Sequence, residues 1–191
     1  MEMKYCSQCG EKVSFKIPQD DNLPRYVCDS CDTIHYQNPK IVTGCIPVYQ
    51  QKILLCKRAI EPRYGLWTLP AGFMENNETL PDAAIRETQE EAKAEVSDLS
   101  LYTVYSIPHI SQVYIIFRAR MNEAKFAAGI ESLQVELFDE EDIPWQQLAF
   151  PVIVKTLRQF FRDRKAANDY PLHVGDITAQ DIKAMTGKST H

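Results

Sequence analysis

The chain has 191 residues, 45% of them hydrophobic and 10% aromatic, with a formal net charge of −5. That acidic balance weighs against a protein built to coat nucleic acid or an anionic membrane. No run approaches the ~18 apolar residues of a membrane span, and the first residues, MEMKYCSQCG, lack the basic-then-apolar pattern of a secretory signal, so a cytoplasmic protein is expected.

Residues 1–37 read as a separate unit organised around cysteines. Four of the six cysteines form two pairs, Cys6-x2-Cys9 and Cys28-x2-Cys31, with 18 residues between the pairs. The alternatives are a disulfide or redox set and a four-thiolate zinc site. Two knuckles in a chain with no export signal favour structural zinc. A unit this small lacks core of its own, and a bound metal would supply the missing staple. His35 reads as a surface residue rather than a further ligand. Asn38-Pro39 marks the boundary, because the residue before proline is pushed toward extended conformations.

Residues 38–165 carry the elements of a larger domain. IVTGCIPVY (41–49) and KILLCKR (52–58), joined by Gln50-Gln51, predict an antiparallel hairpin. GLWTLPAGF (65–73) predicts a short strand or turn. A helix is expected over about 80–95, with Thr79 as its cap, Asp82 three residues on, and Pro81 in the first turn. Strands are expected at 99–107, 112–120 and 135–140, then a helix over 145–165. Residues 166–191 form a tail of uncertain structure. Within it TGKST (186–190) is not a P-loop, because that motif needs glycine where the chain has Ile182.

The helix after Thr79 carries Glu87, Glu90 and Glu91. At 100° per residue the three fall in one arc, and Ile85, Thr88, Ala92 and Val96 fall on another, which is expected to be the buried side. Arg86 flanks the cluster within reach of Glu90. A solvated acidic face is the ordinary reading of such a group. A seat for a hard divalent cation is the other, since clustered like charges destabilise a helix unless something neutralises them.

The wider spacing weighs between them: Gly72, five residues, Glu78, seven residues, Arg86-Glu87, two residues, Glu90-Glu91. This closely resembles the Nudix box, G-x5-E-x7-R-E-U-x-E-E-x-G-U with U aliphatic. The chain departs from it at Thr88, in the aliphatic position, and at Lys93, in the late glycine position. Because lysine adopts positive φ less cheaply than glycine, the helix is expected to run past its usual end. NPKIVTGCIPV, LLCKR, GLWTLPAGF and ESLQVELFDEEDIPW extend the resemblance over residues 5 to about 165, toward plant-type FAD and ADP-ribose pyrophosphatases that carry four cysteines ahead of the Nudix domain.

The resemblance implies an α+β Nudix fold, a mixed sheet between helices. It also implies Mg2+- or Mn2+-dependent hydrolysis of a nucleoside diphosphate linked to another moiety, by water attack on phosphorus. Glu87, Glu90 and Glu91 would carry the metal, the Ala71 carbonyl would add a ligand, and Glu78 and Arg86 would support them. Glu131 and Glu136 are the candidates for the general base. Outside the box, Arg58 could meet a phosphate, and Arg63 less readily. Trp67 could line a nucleotide pocket or fill core, and His109 and Gln112 sit in a loop near the expected site. Cys45 and Cys56 read as buried small hydrophobes.

An NADH pyrophosphatase is the alternative within the same chemistry, although the SQPWW signature of that class is absent. A non-catalytic nucleotide sensor is the alternative outside it. Residues 1–40 carry five Lys or Arg against six Asp or Glu, which speaks against a ribbon that binds nucleic acid. Tyr5, Phe15, Tyr26 and Tyr36 suggest instead that the ribbon packs on protein or forms part of a homodimer interface.

Overall fold

The computed structural model describes residues 2–166 and 170–186, with the side chains of 184–186 left aside, so residues 187–190 of TGKST lie outside the description. The chain divides into two compact units, Met1–Pro39 and Lys40–His191. Among the described residues no helix is long and apolar enough to cross a membrane.

The first unit is a three-stranded antiparallel sheet, β1 (Val13–Lys16), β2 (Arg25–Cys28) and β3 (Ile34–His35), in that order. Its apolar interior is slight: Cys6, Val27 and Cys28 are buried, while Tyr5, Phe15 and Tyr36 are largely exposed. Polar ties hold its turns. Asp29 accepts hydrogen bonds from Ser14 and Lys16, and Asp21 pairs with Arg25 at 3.0 Å.

The second unit is built on one mixed sheet. Its strands are β4 (Lys40–Tyr49), β5 (Lys52–Arg58), β6 (Trp67–Thr68), β7 (Ala71–Phe73), β8 (Val96–Ile107), β9 (Gln112–Met121), β10 (Ser132–Phe138) and β11 (His173–Asp176). The main path runs β10-β5-β4-β9-β8-β11, with β6 beside β5 and β7 beside β4. β4 runs parallel to β9, β11 runs parallel to β8, and the other pairings are antiparallel. Alternation along the central strands divides the core. Val42, Ile46, Tyr114 and Ile116 face α2 (Pro151–Ala166), whereas Cys45, Phe117 and Ala119 pack with Ala84 of α1 (Leu80–Ala92). Cys45 and Cys56 are fully buried, and burial pushes the Cys45 thiol up to about 11, as expected of inert core thiols.

Local chemistry explains where the helices begin. Thr79 is the N-cap of α1, its hydroxyl oxygen accepting from the Asp82 amide at 3.3 Å, with Pro81 in the first turn. The helix expected over 145–165 is interrupted. A single 3-10 turn occupies Trp145–Gln147 and α2 starts only at Pro151. The proline suits a first helical position but biases Phe150 away from helical conformation, so the two pieces cannot join.

α1 also ends earlier than expected. It stops at Ala92, and Lys93 takes the left-handed conformation at φ 50°, its amide donating to the Gln89 carbonyl. The reason is tertiary. The amides of Ala127 and Gly129 donate to the last carbonyls, of Ala92 (2.8 Å) and Glu91 (3.0 Å), fixing the terminus from a distant loop. Two such bonds outweigh the ~1–2 kcal/mol that left-handed backbone costs a side-chain-bearing residue.

Of the tail, β11 and α3 (Ala179–Thr186) are ordered elements. β11 is anchored to the core through Asp163 of α2, which accepts from the Tyr102 hydroxyl (2.7 Å) and Gln159 (2.9 Å) and contacts His173 Nε2 (2.7 Å). Burial works to raise the Asp163 carboxyl, but these hydrogen bonds outweigh it and hold it below its ordinary 3.8. A lowered carboxylate stabilises the fold above its unfolded pKa, and that contribution disappears as pH falls through the folded value. Asp163→Ala also leaves the buried Tyr102 hydroxyl without its acceptor. Urea unfolding at pH 7 is therefore expected to show a loss of about 2 kcal/mol, with the deficit against wild type narrowing below about pH 4.

Candidate active site

The β4–β5 hairpin pairs only at its closed end, Val48 with Ile53 and Tyr49 with Lys52. Beyond that the strands part. β4 takes β7 as its partner through Val42–Gly44, and β5 takes β6 and β10. A cleft of about 1560 Å³ occupies the opened end, bordered by the start of β4, the end of β5, β7, α1, the 3-10 turn Pro108–Ile110 and the segment after β11.

α1 delivers its carboxylates into this cleft, and its orientation differs from the expected one. Glu87 and Glu91 are themselves buried, at 9% and 7% exposure, together with Ala83, Ala84, Thr88 and Ala92, while Ile85 is 38% exposed. The inward face is centred near Glu91 and not on the apolar arc. Alanines occupy the inner positions and let the helix approach β4 closely, so the longer carboxylates on the same face reach the cleft alongside β7. Gly72 makes room for them: a Cβ there would lie 2.4 Å from both Glu87 carboxylate oxygens.

Arg86 binds this group together. Its Nε and Nη2 donate to the two Glu78 oxygens at 2.5 and 3.0 Å. Nη1 donates to Glu87 Oε1 at 2.8 Å and Glu90 Oε2 at 3.0 Å, and Nη2 also reaches the Phe73 carbonyl at 3.2 Å. Glu78 accepts in addition from the Glu75 amide at 2.9 Å, which closes the loop ahead of the helix. One guanidinium thus ties the β7 turn, the loop and the helix into a single frame.

One guanidinium does not balance the charge. Burial raises Glu91, with Glu87 next, to about 8; the Ala71 backbone amide and Arg58 pull the other way, and Glu131 adds to the rise. Burial likewise raises Glu87, with Arg86 opposing and Glu90 and Glu131 reinforcing. Glu91 Oε2 is buried with no hydrogen-bond partner. A buried carboxylate oxygen without a donor, beside two further carboxylates, is the environment a hard divalent cation completes. Arg86 holds Glu87 and Glu90, and among the described residues the three carboxylates are not gathered on one point, so a cation would be met by rotation of these side chains.

The opposite wall comes from the loop after β9. A Cβ on Gly129 would lie 1.8 Å from the Glu90 carbonyl oxygen, so only glycine lets this loop close onto the end of α1. Two residues on, Glu131 lines the cleft, and its carbonyl accepts from the Ala59 amide at 2.8 Å. Glu136, the other candidate base, is exposed on β10, accepts from Gln134 and is not part of the cleft lining. Arg58 and Arg63 both line the cleft; Arg58 Nε donates to the Pro62 carbonyl at 2.9 Å and its guanidinium lies 5.1 Å from the Phe150 ring centroid. His109, Gln112 and Ala71 also border it.

Trp67 does not. It is 6% exposed, packs edge-on against Phe138 at 5.0 Å, and stays within the core, so the pocket role considered for it is set aside. Gly129 escaped the sequence reading because its importance lies in contact with a helix some forty positions earlier. Its one local sign is a glycine two residues ahead of a candidate base.

In the first unit the Sγ atoms of Cys6, Cys9, Cys28 and Cys31 all lie within 4.8 Å of one another. Cys6–Cys31 is 3.7 Å and Cys9–Cys28 is 3.4 Å. The edge of a zinc-thiolate tetrahedron is about 3.8 Å, so the donor set suits that ion. The Thr33 hydroxyl and amide favour the Cys31 thiolate, drawing it down to about 6.

Comparison with known proteins accords with both units. Residues 4–37 match the Nudix N-terminal zinc-ribbon family, and residues 38–160 match the NUDIX domain family. The chain is 33% identical over 147 residues to an ADP-ribose pyrophosphatase of Methanocaldococcus jannaschii, covering 74% of this chain and 80% of that one. It is 36% identical over 146 residues to the NAD-capped RNA hydrolase NudC of Vibrio vulnificus, covering 74% of this chain but 53% of that protein, so the chain spans about half of that relative. The crystal structure of a NUDIX hydrolase from Nitrosomonas europaea superposes with a TM-score of 0.87 at 56% identity, covering 92% of this chain and 99% of that one. A carboxylate cleft framed by one arginine and a four-cysteine ribbon ahead of it thus accompany matches over most of the sequence, and the chain belongs to the Nudix hydrolase family, in the branch with an N-terminal zinc ribbon.

Proposed function

We propose that this hydrolase cleaves the pyrophosphate of a nucleoside diphosphate linked to a second moiety, with ADP-ribose as the leading substrate. The observation that carries the reading is the unpartnered, buried Glu91 oxygen beside Glu87, in a cleft that also presents Arg58 and Arg63. The Methanocaldococcus relative, named an ADP-ribose pyrophosphatase, supports the substrate class. A second reading, an NADH- or NAD-type pyrophosphatase, draws support from the likeness to NudC.

In this reading Glu87, Glu90 and Glu91 hold a divalent cation, Mg2+ or Mn2+, with the Ala71 carbonyl as a further ligand. When bound, it neutralises the diphosphate and acidifies the attacking water. Arg86, fixed by Glu78, sets the carboxylates and limits their recoil from one another. Glu131, electrostatically coupled to Glu87 and Glu91, accepts the proton as the water attacks phosphorus. Arg58 and Arg63 offset charge on the phosphate oxygens and the leaving phosphate. In the ribbon, Cys6, Cys9, Cys28 and Cys31 hold structural Zn2+.

A Mg2+-dependent hydrolysis panel of ADP-ribose, FAD, NADH and NAD tests the assignment, with product identified by chromatography. ADP-ribose is expected to yield AMP and ribose 5-phosphate. Glu90→Gln should lower kcat by about 10²-fold or more, and equal turnover by that variant would refute the site. Gly72→Ala is expected to displace the Glu87 carboxylate and cost about 10²-fold in kcat/KM, with little change in melting temperature. Stripping zinc from the full-length protein should leave residues 4–37 open to limited proteolysis while the Nudix domain stays resistant. One zinc per chain by elemental analysis is the accompanying expectation.

A further inference from the structure

The family match ends at residue 160, yet the cleft does not. Ile177 and Ile182, from the segment after α2, both border it, Ile177 at 2% exposure and Ile182 packed against the principal core. We propose that this C-terminal segment, β11 through α3, is the specificity wall of the cleft and receives the planar nucleobase of the substrate. The inference rests on the pyrophosphatase reading above and names a binding subsite within it.

The cleft is long. α1 packs its carboxylates over β4 and β7, whereas Ile177 follows β11, which lies beyond β9 and β8. Three strand spacings separate β4 from β11, about 14 Å. A lone diphosphate does not bridge that distance, and the cleft, at about 1560 Å³, is much larger than one requires. It suits a ligand with a charged middle and a ring at one end.

The two sides of the cleft also differ in chemistry. Glu87, Glu90 and Glu91 meet Arg86 and Arg58 at the α1 side, while Ile107 of β8, Ile110, Ile177 and Ile182 border the cleft from the β8–β11 side. Apolar walls receive the faces of a ring, and His109 and Gln112 at the same end offer hydrogen bonds to its polar edge. An apolar wall of this kind has no use for ribose or phosphate.

The wall is held in place by β8, by α2 and by its own helix cap. The Ile177 amide donates to the Ser106 carbonyl at 2.9 Å, continuing the β11–β8 register and setting Ile177 beside Ile107. Lys155 Nζ of α2 donates to the Asp176 carbonyl at 2.8 Å. Thr178 and Asp181 cap the start of α3 reciprocally, Thr178 N to Asp181 Oδ2 at 2.8 Å and Asp181 N to Thr178 Oγ1 at 3.2 Å, which sets Ile182 within the first turns.

Direct binding separates this inference from the hydrolysis reading. Calorimetry with the full-length protein and Mg2+ would compare AMP, which carries a base, with ribose 5-phosphate, which does not. Wild type is expected to favour AMP by at least about ten-fold. Ile182→Asp should abolish most of that preference by weakening AMP alone, Ile182→Ala should weaken it by less, and Ile182→Leu should retain it. Equal affinity of wild type for the two probes, or an AMP preference unchanged in both Ile182→Asp and Ile182→Ala, would overturn the assignment. A ring preference intact in a protein that turns over no diphosphate substrate would refute the hydrolysis reading and leave the wall standing.

Discussion

Glu87 and Glu91 are drawn out of water on one helix face, where burial raises both carboxyls and the Glu87 charge raises Glu91 further, and the second unit is arranged around that cost. Desolvating two like charges is costly without compensation, and the compensation arrives from several elements at once. Arg86 reaches Glu87 from the same helix, the Ala71 amide and Arg58 act on Glu91 from β7 and the end of β5, and Gly72 gives up a side chain so that Glu87 fits. What is left over is one buried oxygen with no donor. A core residue in that state would be a defect. At the opened end of a hairpin, beside a cleft, it is an unmatched acceptor of the kind a hard cation completes.

Much of the local structure was legible in sequence. β5 covers KILLCKR, residues 52–58, because a short continuous apolar run, Ile53 to Cys56, follows the polar pair Gln50-Gln51, and Thr79 caps α1 because the hydroxyl, proline and aspartate spacing is a local signal. The facing of α1 was not legible. The expectation that charge turns outward holds for most helices. Here the inward face is lined with alanine and threonine, small enough to let carboxylates share it. Nor could residue 93 be read alone, since its left-handed turn is set by amides at positions 127 and 129. The tail resisted for a similar reason: His173 and Ile177 are ordered by Asp163 and Ser106, and nothing within residues 170–186 announces those partners.

The candidate site divides along the same line. Its carboxylates and arginine sit within twenty residues and form a spaced motif, so they stand out in a bare sequence. Its other walls come one or two residues at a time from Arg58, Glu131, His109 and Ile177, each unremarkable in its own neighbourhood. Trp67 illustrates the converse, a large aromatic near the motif that the packing against Phe138 commits to the core.

The pairing of β4 with β9 carries one more consequence. Lys40 lies beside Gln112 and Val48 beside Arg120, so the central seam joins segments more than seventy positions apart, whereas β8 and β9 are joined by a short turn. Closing a loop that long costs more chain entropy than closing the short β8–β9 hairpin, so pairing across the seam is the slower kind of contact. The cleft straddles that seam, with Val42 on one side and Tyr114 on the other. A nascent or partly folded chain that has made its carboxylate helix therefore still lacks a cavity to put it in. The cleft is a property of the completed sheet, present in neither of the two distant segments alone.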